Sequence, residues 1–97
     1  MSNKRFSNKK NFNKSNIKKV SNDKPIIYKI KNKNGENIYT GIAKRGRCEE
    51  RLLEHLPGSK DFIPGAKTFS IKQKNKIDNA RTEEKLIVNN EKPKYNK

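Results

Sequence analysis

The chain has 97 residues, 29% of them hydrophobic, which leaves room for one small domain with a thin core and excludes a second. Lys and Arg number 25 against 10 Asp and Glu, and the resulting charge of +15 points to a polyanionic partner, nucleic acid before an anionic membrane surface. No apolar run nears the roughly 20 residues that span a bilayer, and the N-terminus lacks the apolar core of a secretory leader, so the expected address is cytoplasmic, without a membrane partner.

Residues 1–24 hold eight Lys or Arg, one acid, six Asn and four Ser, with Phe6, Phe12, Ile17 and Val20 at no helical or strand period. This reads as a disordered basic arm, either a plain solubilising tail or a flexible phosphate-binding one. It carries +7, so residues 25–97, read as the folded domain, keep +8 of their own.

Two β-like runs follow, residues 26–31 and 37–42, around Asn34-Gly35, a pair that favours a two-residue type I′ hairpin turn. Pairing Lys33 with Glu36 then sets Ile30 opposite Tyr39 and Tyr28 opposite Gly41. Side chains alternate, so Tyr28, Ile30, Tyr39 and Gly41 share one face and Ile27, Lys29, Ile38 and Thr40 the other. A three-residue loop would shift this register by one and separate the tyrosines.

From Arg47 to Leu56 the spacing predicts a short helix ended by Pro57-Gly58, with Cys48, Leu52 and Leu56 as its apolar stripe and Arg51 and His55 on one border, a turn apart. Cys48 is the single cysteine and reads as a buried or half-buried thiol; a disulfide within the chain and a cysteine-rich zinc site are excluded. After the turn-rich residues 57–66, alternation in residues 67–72 predicts a third strand with Phe69 and Ile71 on one face. A last helix is expected from an Asp78 cap to about Asn90, ended by Pro93. Its apolar stripe, with Ile77, Ala80, Ile87 and Val88, has Glu84 near its middle, where a carboxylate is costly unless a cation meets it; Glu83 falls to the flank, as an ordinary solvent charge.

Each of these residues has a plain structural reading taken singly. Tyrosine pairs pack across strands, His55 suits a helix border, Glu84 suits an internal salt bridge, and Asn96 suits a turn. As an ordered set they are more specific. "IIY" precedes "YTG" with the second tyrosine eleven residues after the first, Arg51 and His55 follow as Arg-x3-His, and Glu84 is followed after nine residues by Pro93 and after twelve by Asn96.

This order resembles the GIY-YIG nuclease superfamily over nearly all of residues 25–97. The resemblance implies a small α+β fold, a three-stranded antiparallel sheet flanked by helices, that cleaves duplex or branched DNA with one divalent ion, Mg²⁺ or Mn²⁺. It implies Tyr28, Tyr39, Arg51, His55, Glu84 and Asn96 as catalytic residues, with Glu84 the metal ligand. Lys44, Arg45 and Arg47 would add phosphate contacts. The chain departs from the pattern at Ile26 and Thr40, and Arg51 lies ten residues after Gly41, further along than the resemblance implies. The loop "IAKRGR" must absorb the difference, or Arg47 or Arg45 would fill the arginine position. Two alternatives accompany the enzyme: a DNA-binding module of the same fold without turnover, and a nuclease toxin domain from a longer chain.

Overall fold

The computed structural model describes residues 5–96; residues 1–4 of the expected arm and residue 97 of the expected domain lie outside them. The elements run β1 (Lys10–Asn11), α1 (Lys14–Ile17), β2 (Ile26–Lys31), β3 (Asn37–Ala43), α2 (Cys48–Leu53), β4 (Thr68–Gln73) and α3 (Ile77–Glu91). The sheet is antiparallel and four-stranded, in the order β1-β4-β2-β3, rather than three-stranded.

The fourth strand comes from the segment read as a disordered arm. Lys10 pairs with Phe69 and Asn11 with Thr68, and the Phe12 ring meets Phe69 edge-on with centroids 5.6 Å apart. Asn13 then caps α1, its side chain accepting the Asn16 N–H at 2.9 Å. Ile17 enters the core with no exposed surface. Further along, Asn22 takes the Gly46 N–H on its carbonyl and the Glu49 N–H on its side chain, tying the segment to the start of α2. Residue 25 therefore does not divide the packing. Four aromatic and aliphatic side chains without period cannot form a regular element, but each can fill a place prepared by the sheet.

The hairpin reaches the expected register by a different route. Its loop is three residues, Lys33 to Gly35, closed by the Gly35 N–H to the Asn32 carbonyl and by the Asn32 N–H to the Glu36 carbonyl, each 3.0 Å. Gly35 takes φ +82° while Asn34 does not cross to positive φ, so the turn is not type I′. Asn32 holds it internally, its side-chain oxygen accepting the N–H of both Asn34 and Glu36. Lys31 thus faces Asn37, one residue out of the expected register, and a bulge between that pair and Ile30–Tyr39 restores it. Ile38, the residue without a partner, joins the core cluster instead of the opposite face.

One face of the sheet carries Ile26, Tyr28, Ile30 and Phe69 onto α2, where Cys48 and Leu52 complete the core with Ile17 and Ile63. The other face, with Ile27, Thr40 and Ser70, packs under Ala80 of α3. The ordered first turn of α3 holds Asp78, and Lys76 rather than Asp78 occupies the cap position. Glu83 is not a solvent charge: it accepts from Lys72 at 2.7 Å and Lys74 at 2.8 Å, pinning α3 across β4. Helix α2 is shorter than expected, the chain winding on from Leu53 to Leu56 through i to i+3 bonds. Among the described residues no helix is long and apolar enough to cross a membrane.

An Ile17→Ala substitution is expected to destabilise the protein by about 2–5 kcal/mol in urea unfolding, as for other fully buried aliphatics. A stability equal to wild type would return this segment to the status of an appended tail.

Candidate active site

The tyrosine face is set by the register. Tyr28 on β2 lies opposite Gly41 on β3, and a β-carbon at Gly41 would sit 2.6 Å from the Tyr28 ring and hydroxyl and 2.8 Å from the Tyr39 ring. The bare backbone at Gly41 is what lets both phenols occupy the same side of the hairpin, their centroids 6.1 Å apart.

His55 arrives from the end of α2. Its ring lies 5.6 Å from Tyr28 and 4.9 Å from Tyr39, and its Nε2 is 2.7 Å from the Tyr28 hydroxyl. The loop after α2 folds back to hold it: the Asp61 N–H donates to the Glu54 carbonyl, the Ile63 N–H donates to the His55 carbonyl, and His55 Nδ1 lies 2.9 Å from the Asp61 carbonyl. A carbonyl only accepts, so Nδ1 carries the proton. Burial pushes the His55 pKa below its ordinary 6.5, against the pull of the Asp61 carbonyl, and keeps the ring neutral. Nε2 is then the acceptor and the Tyr28 hydroxyl the donor.

Tyr28 itself has no exposed surface, and burial raises its pKa far above that of a free phenol, with the Arg51 guanidinium pulling it back. Tyr39 is half-buried and is the phenol that meets solvent. Its pKa is also raised by burial, lowered by Arg51 and by its neighbour Tyr28, and raised by the charge of Glu84.

Arg51 therefore acts on both phenols, while Arg47 turns to Glu50 at 2.9 Å on the surface and Arg45 is exposed. Between Gly41 and Arg51, β3 runs on to Ala43 and the chain reverses at Gly46, whose φ of +84° suits glycine. Arg51 is held by Glu54 and, at 3.3 Å, by Asp61. Neither acid stands out in the sequence, although an Arg-x2-Glu spacing on a helix is a signal for the first. Asp61 acts on His55 through its backbone, which leaves no trace in residue type.

Glu84 stands half-buried on α3, and among the described residues it makes no hydrogen bond or ion pair. Burial raises its pKa, with Arg81 and Lys85 working in the opposite direction. Asn96 is engaged otherwise than expected. Its side-chain oxygen accepts the Thr40 N–H at 2.7 Å and its amide donates to the Thr40 carbonyl at 2.8 Å, so it fastens the C-terminal segment along β3. Among the described residues no three His, Cys, Asp or Glu side chains converge.

Comparison of the chain with family models, curated proteins and solved structures finds no match.

Two outcomes test this geometry. Gly41→Ala is expected to cost about 1–3 kcal/mol in denaturant unfolding, the usual range for forced overpacking. The folded protein binds a proton at His55 less readily than the unfolded chain, so the His55 contribution to stability is complete above 6.5 and is lost as pH falls below it. The His55→Gln variant is expected to lose that part of the slope between ~pH 7.5 and ~pH 5.5.

Proposed function

We propose that the protein is a metal-dependent DNA endonuclease of the GIY-YIG type. The observation that carries this reading is the hydrogen-bonded line from Tyr28 through His55 to the Asp61 carbonyl, with Tyr39 and Arg51 against it, built from stretches far apart in the chain. A packing pair of tyrosines has no need of a neutral, tautomer-fixed histidine whose acceptor nitrogen takes the hydroxyl of one of them.

The residues suggest a division of labour. Tyr39 meets the attacking water. As that water gives a proton to the Tyr39 hydroxyl, Tyr39 passes its own to Tyr28, and Tyr28 passes its own to His55 Nε2, leaving hydroxide at phosphorus and an imidazolium in the core. Such a relay avoids forming a free phenolate on either raised phenol, which would be rare near neutral pH. Attack breaks the bond to the 3′ oxygen, giving a 5′ phosphate and an alkoxide that takes a proton from solvent. Arg51 stabilises the negative charge on the phosphoryl oxygens. To do so it must exchange a carboxylate partner, Glu54 or Asp61, for the phosphate.

Glu84 fits a hard dication: a half-buried carboxylate with no ion pair among the described residues, whose charge is felt at Tyr39, suits Mg²⁺ or Mn²⁺ that keeps most of its waters. When bound, such an ion would supply Lewis-acid stabilisation of the phosphate and leaving oxygen. Asn96 serves as a positioning residue through Thr40.

Plasmid nicking is expected with Mg²⁺ and not with EDTA. Tyr28→Phe and Tyr39→Phe should each slow it by roughly 10²–10⁴-fold, the range for a lost proton-transfer group, and Glu84→Ala should abolish it. Cleavage that survives Glu84→Ala and Tyr28→Phe unchanged would sink the assignment, and binding with a steep salt dependence but no cleavage in any metal would identify a pure DNA-binding module. Because His55 must be neutral to accept the proton, kcat/KM is expected to fall on the acid side with its midpoint below 6.5.

A further inference from the structure

Beside the tyrosine face, and sharing Arg51 with it, lies a cavity of about 270 Å³ between the end of β3, the start of α2 and the first turns of α3. Its lining includes three apolar residues, Ile42, Ala43 and Ile77. The rest of the lining is cationic, Lys44, Arg47, Arg51 and Arg81, and no acidic residue lines it. Arg81 reaches it from a separate element and carries no motif in the sequence.

Four like charges around one space repel one another and lower the stability of the fold unless an anion joins them. Arg51 is held by Glu54 and Asp61, but the partners of Arg47 and Arg81 are weak. Arg47 pairs with Glu50 and Arg81 with Asp78 at 3.7 Å, each three residues away on the same surface, with all four side chains more than half exposed. Lys44 has no ion pair among the described residues. A water occupies about 30 Å³ in the liquid, so the cavity admits a group of many heavy atoms. A lining that combines apolar residues with several guanidinium groups suits the sugar and phosphate of a nucleotide unit.

We infer that this cavity is a second phosphate subsite, which holds a backbone phosphate neighbouring the cleaved one on the same strand, with Arg81 and Arg47 as its principal ligands. The inference rests on the nuclease reading for the word "neighbouring", and on the cavity alone for the phosphate. Arg51 would contact both phosphates, so filling the subsite would set the strand in register with Tyr39.

The experiment is residue-resolved NMR titration of the full chain in EDTA, where no cleavage is possible, with inorganic phosphate in one arm and a short 5′-phosphorylated oligothymidylate in the other. Both probes are expected to shift amides concentrated in residues 42–47 and 77–81. Arg81→Gln is expected to weaken oligonucleotide binding by about tenfold, and a control with Lys9→Gln and Lys10→Gln, at the far edge of the sheet, by much less. Unchanged unfolding midpoints in the variants show that the fold is kept.

Shifts spread over the whole basic surface, or an Arg81→Gln effect no larger than the control's, would overturn the subsite. A response to inorganic phosphate but not to the oligonucleotide would overturn its assignment to a strand. Since the titration needs no turnover, a protein that fails to nick DNA still tests the cavity, and one that nicks DNA without these shifts overturns this inference alone.

Discussion

Tyr28 lies across the bare backbone of Gly41, and the rest of the site depends on that contact. It requires that β2 and β3 pair in one register and no other, because a shift of one residue would turn Tyr28 away from Tyr39 and place side chains where only glycine fits. It brings the Tyr28 hydroxyl to the end of α2, where His55 waits with its acceptor nitrogen. It also explains the bulge: the Asn32-closed loop alone would leave the tyrosines out of step, and the extra residue at Ile38 cancels the error.

Around this contact the neutral groups and the charged groups are separated by depth. Tyr28 and His55 are buried, and burial keeps both neutral, one by raising its pKa and the other by lowering it. Arg51, Glu54, Asp61 and Glu84 each keep some exposure to solvent, where water screens charge. A neutral hydrogen-bonded pair such as Tyr28 and His55 costs little to bury, whereas an ion pair at the same depth would carry a desolvation penalty of several kcal/mol per ion. The excess positive charge of the chain is thus left outside, around the cavity beside Arg51, rather than spent inside the core.

Much of this was legible in the chain. Period-two alternation located β2, β3 and β4, and the helical stripe located α2 and α3, because in each the buried face repeats with the geometry of the element. The facing of Tyr28 and Gly41 was also legible, although by a turn that does not form; Asn34-Gly35 encodes a reversal, and Asn32, whose side chain decides the loop length, looks like any other polar residue. The N-terminal strand was hidden because its anchors are isolated side chains answering to a surface that only the folded sheet provides. Glu83 was misjudged for the same reason: its lysine partners lie on another strand, invisible to a helical projection. Asp61 and Asn96 act through backbone groups, their own or Thr40's, and composition and spacing say nothing about those.

The attachment of Asn96 along β3 has a consequence for how these molecules meet one another. An open antiparallel sheet presents two rows of unpaired amides and carbonyls that invite another copy to add its own strand. Here one row is partly taken, since Asn96 satisfies both backbone groups of Thr40 and the Tyr95 N–H donates to the Ile38 carbonyl. The other row belongs to β1, only two residues long, with Lys9 before it and Lys10 within it, whose charges discourage an approaching strand. Both margins are thereby blunted against edge-to-edge polymerisation, β3 by the chain's own C-terminal segment and β1 by its shortness and its lysines.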